Sequence, residues 1–250
     1  MALAGAVVCA SVPVTADRPG LSALVVAGLA LAAMAAAASR SAPALRAVGL
    51  LVLVGAFTLL GAHAVTWLAW PLPILLALLV GAGCARAVPA LRPAAPWLRF
   101  GTFSPAIGWL FVATLVASAA ALAWWAWAVR PPAPPFVRAF VDRPLWTLVV
   151  AVCGFAVVNA FAEEVLYRGV VLTELAAVWA VGPALVVQAA AFGLAHLHGF
   201  PSGWSGMAMA AGWGLVLGVI RLRSDGIGLP YLAHVVADST IGVAGVLLLR

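Results

Sequence analysis

Four of the seven acidic residues, Glu163, Glu164, Glu174 and Asp238, stand in apolar sequence, whereas Asp17, Asp142 and Asp225 lie in loops beside arginines, where water can reach them. A charge at the centre of a bilayer costs about 2.5–3.5 kcal/mol even on the lenient insertion scale. Four together approach roughly 10 kcal/mol, as large as a typical folding stability. Such groups must be paired, protonated or turned toward a wet cavity. A polar cluster that glues helices is the plain reading, and the spacing of the neighbouring residues argues for chemistry instead.

In Asn159-Ala-Phe-Ala-Glu163-Glu164-Val-Leu-Tyr-Arg168, the side chains of Glu164 and Arg168 are four residues apart and share a helix face. Neighbouring carboxylates in a low-dielectric site cannot both ionise cheaply. Pairing Arg168 with Glu164 therefore leaves Glu163 as the candidate general base. Histidines supply the second pattern. His196 closes Phe192-Gly-Leu-Ala-His196, and His234 opens His234-Val-Val-Ala-Asp238, so His234 and Asp238 also share a face. With a chain reversal at Gly182-Pro183, Glu163 lies 19 residues before Gly182 and His196 lies 14 after it. That is a depth mismatch of about 8 Å at 1.5 Å per residue, which helix tilt can close. His234 is a full span further on, so the loop around His198-Gly-Phe-Pro201 is expected to dip into the membrane, where irregular backbone must line protein or water.

The elements that must hold these groups are membrane helices. Of 250 residues, 66% are hydrophobic and 8% charged, against about a quarter charged in an ordinary soluble domain. Apolar blocks of the length needed to cross about 30 Å of hydrocarbon recur along the chain. They fall near 21–39, 47–69, 72–88, 105–129, 145–168 and onward, 183–198, 203–221 and 228–249. The fold expected is an all-α transmembrane bundle of seven or eight helices. The apolar N-terminus, Met1 to Ala16, lacks a positively charged n-region and reads as a short first span or an interfacial segment. Arg40/Arg46, Arg86/Arg92/Arg99 and Arg221/Arg223 fall in alternate loops, which the positive-inside bias places in the cytoplasm; Arg130, Arg138 and Arg143 run against that alternation.

Trp124, Trp125 and Trp127 followed by Pro131, Pro132, Pro134 and Pro135 read as an interfacial anchor and a stiff connector. It divides the chain into N-terminal helices over 1–140, of unassigned role, and a C-terminal core over 141–250. Gly206, Ala210, Gly214 and Gly218 make a stripe of small side chains on one helix face, suited to tight packing within the bundle more than to dimerisation. His63 reads as a helix–helix hydrogen bonder. Glu174, 11 residues past Glu163 and about 16 Å along the helix, lines an access cavity or caps the helix outside the membrane. The three cysteines show no CxxC spacing, so neither a disulfide framework nor a thiolate zinc site is signalled. All 13 basic residues are arginine and alanine dominates the apolar runs, a pattern expected of a GC-rich bacterial genome. Because the arginines sit singly between apolar blocks, the net charge of +6 points to anionic membrane lipid and not to nucleic acid.

Glu163/Glu164/Arg168, Phe192/His196 and His234/Asp238, in that order, resemble the motifs of the CPBP intramembrane proteases, which include the CAAX prenyl endopeptidases and the bacterial abortive-infection proteins. The resemblance covers roughly Leu145 to Val246. It implies hydrolysis of a peptide bond within the membrane, with Glu163 and His196 activating a water while His234 and the residue at 238 steady the oxyanion. Asp238 fits that last role less well than asparagine, because an ionised carboxylate repels an oxyanion; it is protonated, orients His234, or helps bind a cation. Two histidines and two carboxylates, Glu163, His196, His234 and Asp238, can form a site for Zn2+ or another divalent cation, but His-Glu-x-x-His spacing is absent. Metal-dependent and metal-free readings both stay open. The expected protein is thus a multi-pass endopeptidase of the cell (inner) membrane acting on a membrane-associated peptide or protein, prenylated or bacteriocin-like. Intramembrane acids and histidines also build proton relays, so a proton-coupled transporter is the alternative, followed by a non-catalytic membrane scaffold.

Overall fold

The structure, a computed structural model, describes residues 2–12, 18–92, 96–131 and 143–249. Asp17, Arg138, Asp142 and the proline run from Pro132 onward lie outside the described residues. The described elements are helical: α1 Ala2–Ser11, α2 Pro19–Ser39, α3 Ala42–His63, α4 Leu72–Ala87, α5 Pro105–Val129, α6 Leu145–Ala176, α7 Val181–Ala195, α8 Gly203–Ser224 and α9 Gly228–Leu249, with a 3₁₀ turn at Pro89–Leu91. α2 to α9 correspond to the eight apolar blocks. Five helices are long and apolar enough to cross a membrane, and α4 and α7 are shorter apolar helices. This is a multi-pass membrane protein.

Helix starts follow local chemistry. Ser41 and Ser104 accept hydrogen bonds from Ala44 N and Ile107 N, and a proline stands in the first turn of α2, α3, α4 and α5, where its missing N–H costs nothing. The same rule corrects the turn expected at Gly182-Pro183. Both residues lie in the first turn of α7, and the chain reverses earlier, over Ala177–Ala180. Glu163 is 14 residues before Ala177 and His196 is 16 after Ala180. The difference is two residues, against five for a turn at Gly182. α7, at 15 residues, rises about 22 Å, less than the roughly 30 Å of hydrocarbon.

α1, within the segment read as a short first span or an interfacial one, packs Leu3, Ala6 and Val7 into one core with α2, α3 and α7 residues. Among the tryptophans, Trp124 and Trp127 are exposed, but Trp125 turns inward, donates to Ser205 Oγ at 3.1 Å and packs edge-on against Phe200. His63 Nε2 lies 3.4 Å from Ser22 Oγ across the α2–α3 seam, the bonding role expected of it.

The small-residue stripe of α8 packs against α7. A Cβ added at Gly214 would meet the Phe192 ring at 3.2 Å and Ala189 Cα at 3.3 Å, and one at Gly193 would meet the Met207 carbonyl oxygen at 2.6 Å. Close backbone approach thus fixes the helix that carries His196. At the arginine-bearing end, Arg46 clamps Glu174 through two parallel bonds of 2.8 and 2.7 Å, and Arg99 binds Asp225, whose carboxyl this hydrogen bond holds below the usual range. Arg46, in the first turns of α3, also donates to the Ala90 carbonyl at 3.4 Å, which brings the segment after α4 to the end of α6.

The Arg46–Glu174 pair joins the N-terminal helices to the C-terminal ones, with Glu174 buried. Glu174→Ala leaves the arginine uncompensated and is expected to cost about 3–5 kcal/mol, whereas the paired change Arg46→Met with Glu174→Leu is expected to be close to neutral. Thermal unfolding in detergent checks both. A double variant no more stable than Glu174→Ala would show that packing at this seam, and not the uncompensated charge, sets the loss.

Candidate active site

α6 does not run as a uniform α-helix. Its middle, Glu164–Val171, is π-helical, and Glu163 is the last residue of the α-helical part. Widening the turn at that point rotates successive side chains less than an α-helix does. Glu163 and Glu164, adjacent in sequence, both reach the same imidazole on α9. Glu164 Oε1 lies 2.7 Å from His234 Nδ1, and Glu163 Oε2 lies 3.5 Å from His234 Nε2. The π segment has no mark in the hydropathy pattern.

Glu164 Oε1 also accepts from Arg168 Nη1 at 2.6 Å, with both side chains fully buried, as the i to i+4 spacing led one to expect. The guanidinium stacks over the Phe192 ring, 4.3 Å from its centre. That ring stands edge-on to Tyr167 and His234 and tilts against His196, while the Phe192 carbonyl lies 2.9 Å from His196 Nδ1. The Phe-x-x-x-His motif therefore has a double physical use. Because a carbonyl only accepts, Nδ1 carries the proton and the Nε2 of a neutral His196 is left as an acceptor.

His234 Nε2 is 3.6 Å from Asp238 Oδ1, and Asp238 Oδ2 accepts from Asn159 Nδ2 at 3.0 Å. Of the choices open for Asp238, this geometry fits orientation of His234 best. His196, His234 and Asp238 line one apolar cavity of about 430 Å³ between α5, α7, α8 and α9, with Leu110, Phe192 and Trp213 among its walls. The six residues Glu163, Glu164, Arg168, His196, His234 and Asp238 thus gather at one place. The pairing within it differs from expectation: Glu163 meets His234, and no ion pair joins it to His196 among the described residues. Glu174 stands apart with Arg46.

Two residues of the cluster escaped the sequence reading. Trp70, in the α3–α4 connection, donates from Nε1 to Asn159 Oδ1 at 2.8 Å and to Glu163 Oε1 at 3.2 Å. Asn159 could have been found, being an amide in an otherwise apolar span; Trp70 is one of eleven tryptophans and nothing in its surroundings singles it out. Among the described residues, no group of three or more His, Cys, Asp or Glu side chains is arranged to hold a metal ion.

Residues 144–240 match the family model of the type II CAAX prenyl endopeptidases, Rce1-like. This region is an Rce1-like domain. It contains the whole gathered cluster except Trp70, and it implies an intramembrane protease, a hydrolase. No curated protein and no solved structure matches the chain. α1 to α5 lie outside the Rce1-like domain.

Inside that domain the Glu164–Arg168–His234 triad is the most deeply buried charge set. Arg168→Met removes the countercharge of Glu164 and is expected to destabilise by about 3–5 kcal/mol. Glu164→Gln combined with Arg168→Met is expected to lose less than the sum of the two single changes. A double-mutant cycle on thermal stability measures that coupling; additive losses would show that the pair is not energetically joined.

Proposed function

We propose that the Rce1-like cluster hydrolyses a peptide bond of a membrane-associated substrate by means of a water activated at Glu163. The observation that carries this reading is the state of Glu163 itself: it is buried, Oε1 is held by Trp70, and Oε2 has no hydrogen-bond partner among the described residues while lying 3.5 Å from His234 Nε2. A carboxylate oxygen without a donor, next to an imidazole that itself lines the apolar cavity, is placed to take a proton from water.

In this reading the water oxygen attacks the carbonyl carbon as its proton passes to Glu163 Oε2, with His196 Nε2 accepting from the same water and so orienting it. The carbonyl oxygen becomes an oxyanion, met by the N–H that His234 in its doubly protonated form carries on Nε2. Asp238 and Glu164 hold that ring from two sides. Collapse of the tetrahedral intermediate breaks the C–N bond, and the proton on Glu163 passes to the leaving amine, giving one carboxylic acid and one amine for one water. The apolar cavity of about 430 Å³ suits apolar side chains or a lipid modification next to the scissile bond. A prenylated or bacteriocin-like peptide, presented from the bilayer of the cell membrane, is the substrate class proposed.

With a fluorogenic lipidated peptide and purified protein, Glu163→Gln and His196→Ala are each expected to lower turnover by at least about a hundredfold while leaving the thermal unfolding midpoint in place. Full turnover in both variants would overturn the reading. Incubation with a chelator belongs to the same experiment. Loss of activity that Zn2+ restores would assign Glu163, His196, His234 and Asp238 to a cation, and unchanged activity supports water activation by Glu163 without one.

A further inference from the structure

Trp70 lies in the half of the chain that the Rce1-like domain does not cover, yet its indole N–H points at the candidate base. α3 ends at His63 and α4 begins at Leu72, and the connection between them brings the ring against α6. Indole Nε1 is a donor and nothing else. Its bond to Asn159 at 2.8 Å therefore requires the amide oxygen there, which turns Nδ2 toward Asp238, and Asp238 Oδ2 accepts from it at 3.0 Å. The second branch, 3.2 Å to Glu163 Oε1, occupies one oxygen of that carboxylate and leaves Oε2, the one facing His234 Nε2, without a hydrogen bond among the described residues.

We propose that Trp70, from outside the Rce1-like domain, is a positioning residue of the site: its one N–H fixes which oxygen of Glu163 meets the water and, through Asn159, which way the Asp238 carboxylate faces His234. The N-terminal helices thereby complete the machinery of the C-terminal ones. The inference rests on Glu163 acting as the base, and it adds a donor that no motif within residues 144–240 contains.

Trp70→Phe is the informative substitution. Trp70 also lines a second cavity of about 350 Å³ with Ser11, Thr58 and Tyr167, and phenylalanine keeps an aromatic wall there while deleting the N–H alone. Using the full-length protein in detergent and the lipidated peptide, Trp70→Phe is expected to lower kcat on the order of tenfold, the weight of one hydrogen bond to a charged group. KM is expected to stay within about twofold, because the deleted bond faces the base and not the substrate cavity. Loss of Asn159 Oδ1 in Asn159→Ala is expected to lower kcat in the same direction. Nitrogen-15 labelling of tryptophan supplies a readout that packing alone does not move: the Trp70 indole resonance, identified by its absence in Trp70→Phe, is expected to shift in both Glu163→Ala and Asn159→Ala. If Glu163→Gln is inactive but Trp70→Phe retains wild-type kcat, the positioning role is wrong and the hydrolytic reading stands. If Glu163→Gln itself retains turnover, the hydrolytic reading fails first. Should Trp70→Phe not fold, an indole resonance assigned by exclusion that stays fixed in Glu163→Ala and Asn159→Ala overturns the proposal.

Discussion

Everything in the C-terminal half is arranged around one imidazole. His234 is buried with a carboxylate on each nitrogen side, Glu164 at 2.7 Å from Nδ1 and Glu163 at 3.5 Å from Nε2, and Asp238 at 3.6 Å completes the set. In a low-dielectric interior such a collection is costly unless each acid has an assigned partner. Arg168 meets that need for Glu164, Asn159 for Asp238 and Trp70 for Glu163. The helices that supply these partners are thereby constrained: α6 gives Asn159, both glutamates and Arg168, α9 gives His234 and Asp238, and the α3–α4 connection gives Trp70. A helix rotated by one residue would leave an acid without its partner.

The π segment of α6 is the local solution to that constraint. Two sequence-adjacent side chains on an α-helix diverge by about 100°, too far to bracket one ring comfortably, whereas a wider turn brings them together. π turns inside α-helices often sit at functional sites, and here the wide turn begins between the two glutamates. Phe192 then serves as a common floor. Its ring lies under the Arg168 guanidinium and beside both histidines, so one apolar residue orients three polar ones.

Much of this was legible in the sequence, for reasons that are physical. Membrane helices declare themselves by length and apolar composition, so the eight blocks from α2 to α9 are evident, as is the Glu164–Arg168 pair, because i to i+4 spacing survives the change from α to π. The i to i+4 spacing of His234 and Asp238 held likewise. The position of the reversal before α7 was less accessible, since Gly182-Pro183 reads equally as a turn and as the first turn of a helix. Inward rotation of Trp125 depends on which face of α5 meets α8, and a tryptophan-rich helix end looks interfacial from composition alone. The pairing of Glu163 with His234 and not His196 could not be read from spacing, because it depends on how α6, α7 and α9 are rotated about their own axes.

The two ends of the bundle do different work. Where arginines collect, Arg46 holds the buried Glu174 and so ties α3 to α6, while Arg99 holds Asp225 in an exposed pair that ties two loops together. Eleven residues earlier on α6, beyond the π segment, Glu163 belongs to a cluster whose His196, His234 and Asp238 line an apolar cavity. Glu174 and Glu163 stand on one helix, yet one is clamped and the other has an oxygen without a partner among the described residues. What separates them is the donor each is offered. A bidentate arginine satisfies both oxygens of Glu174, while a single indole N–H satisfies only one of Glu163, so among the described residues Glu163 is the one of the two with an oxygen open to a further donor.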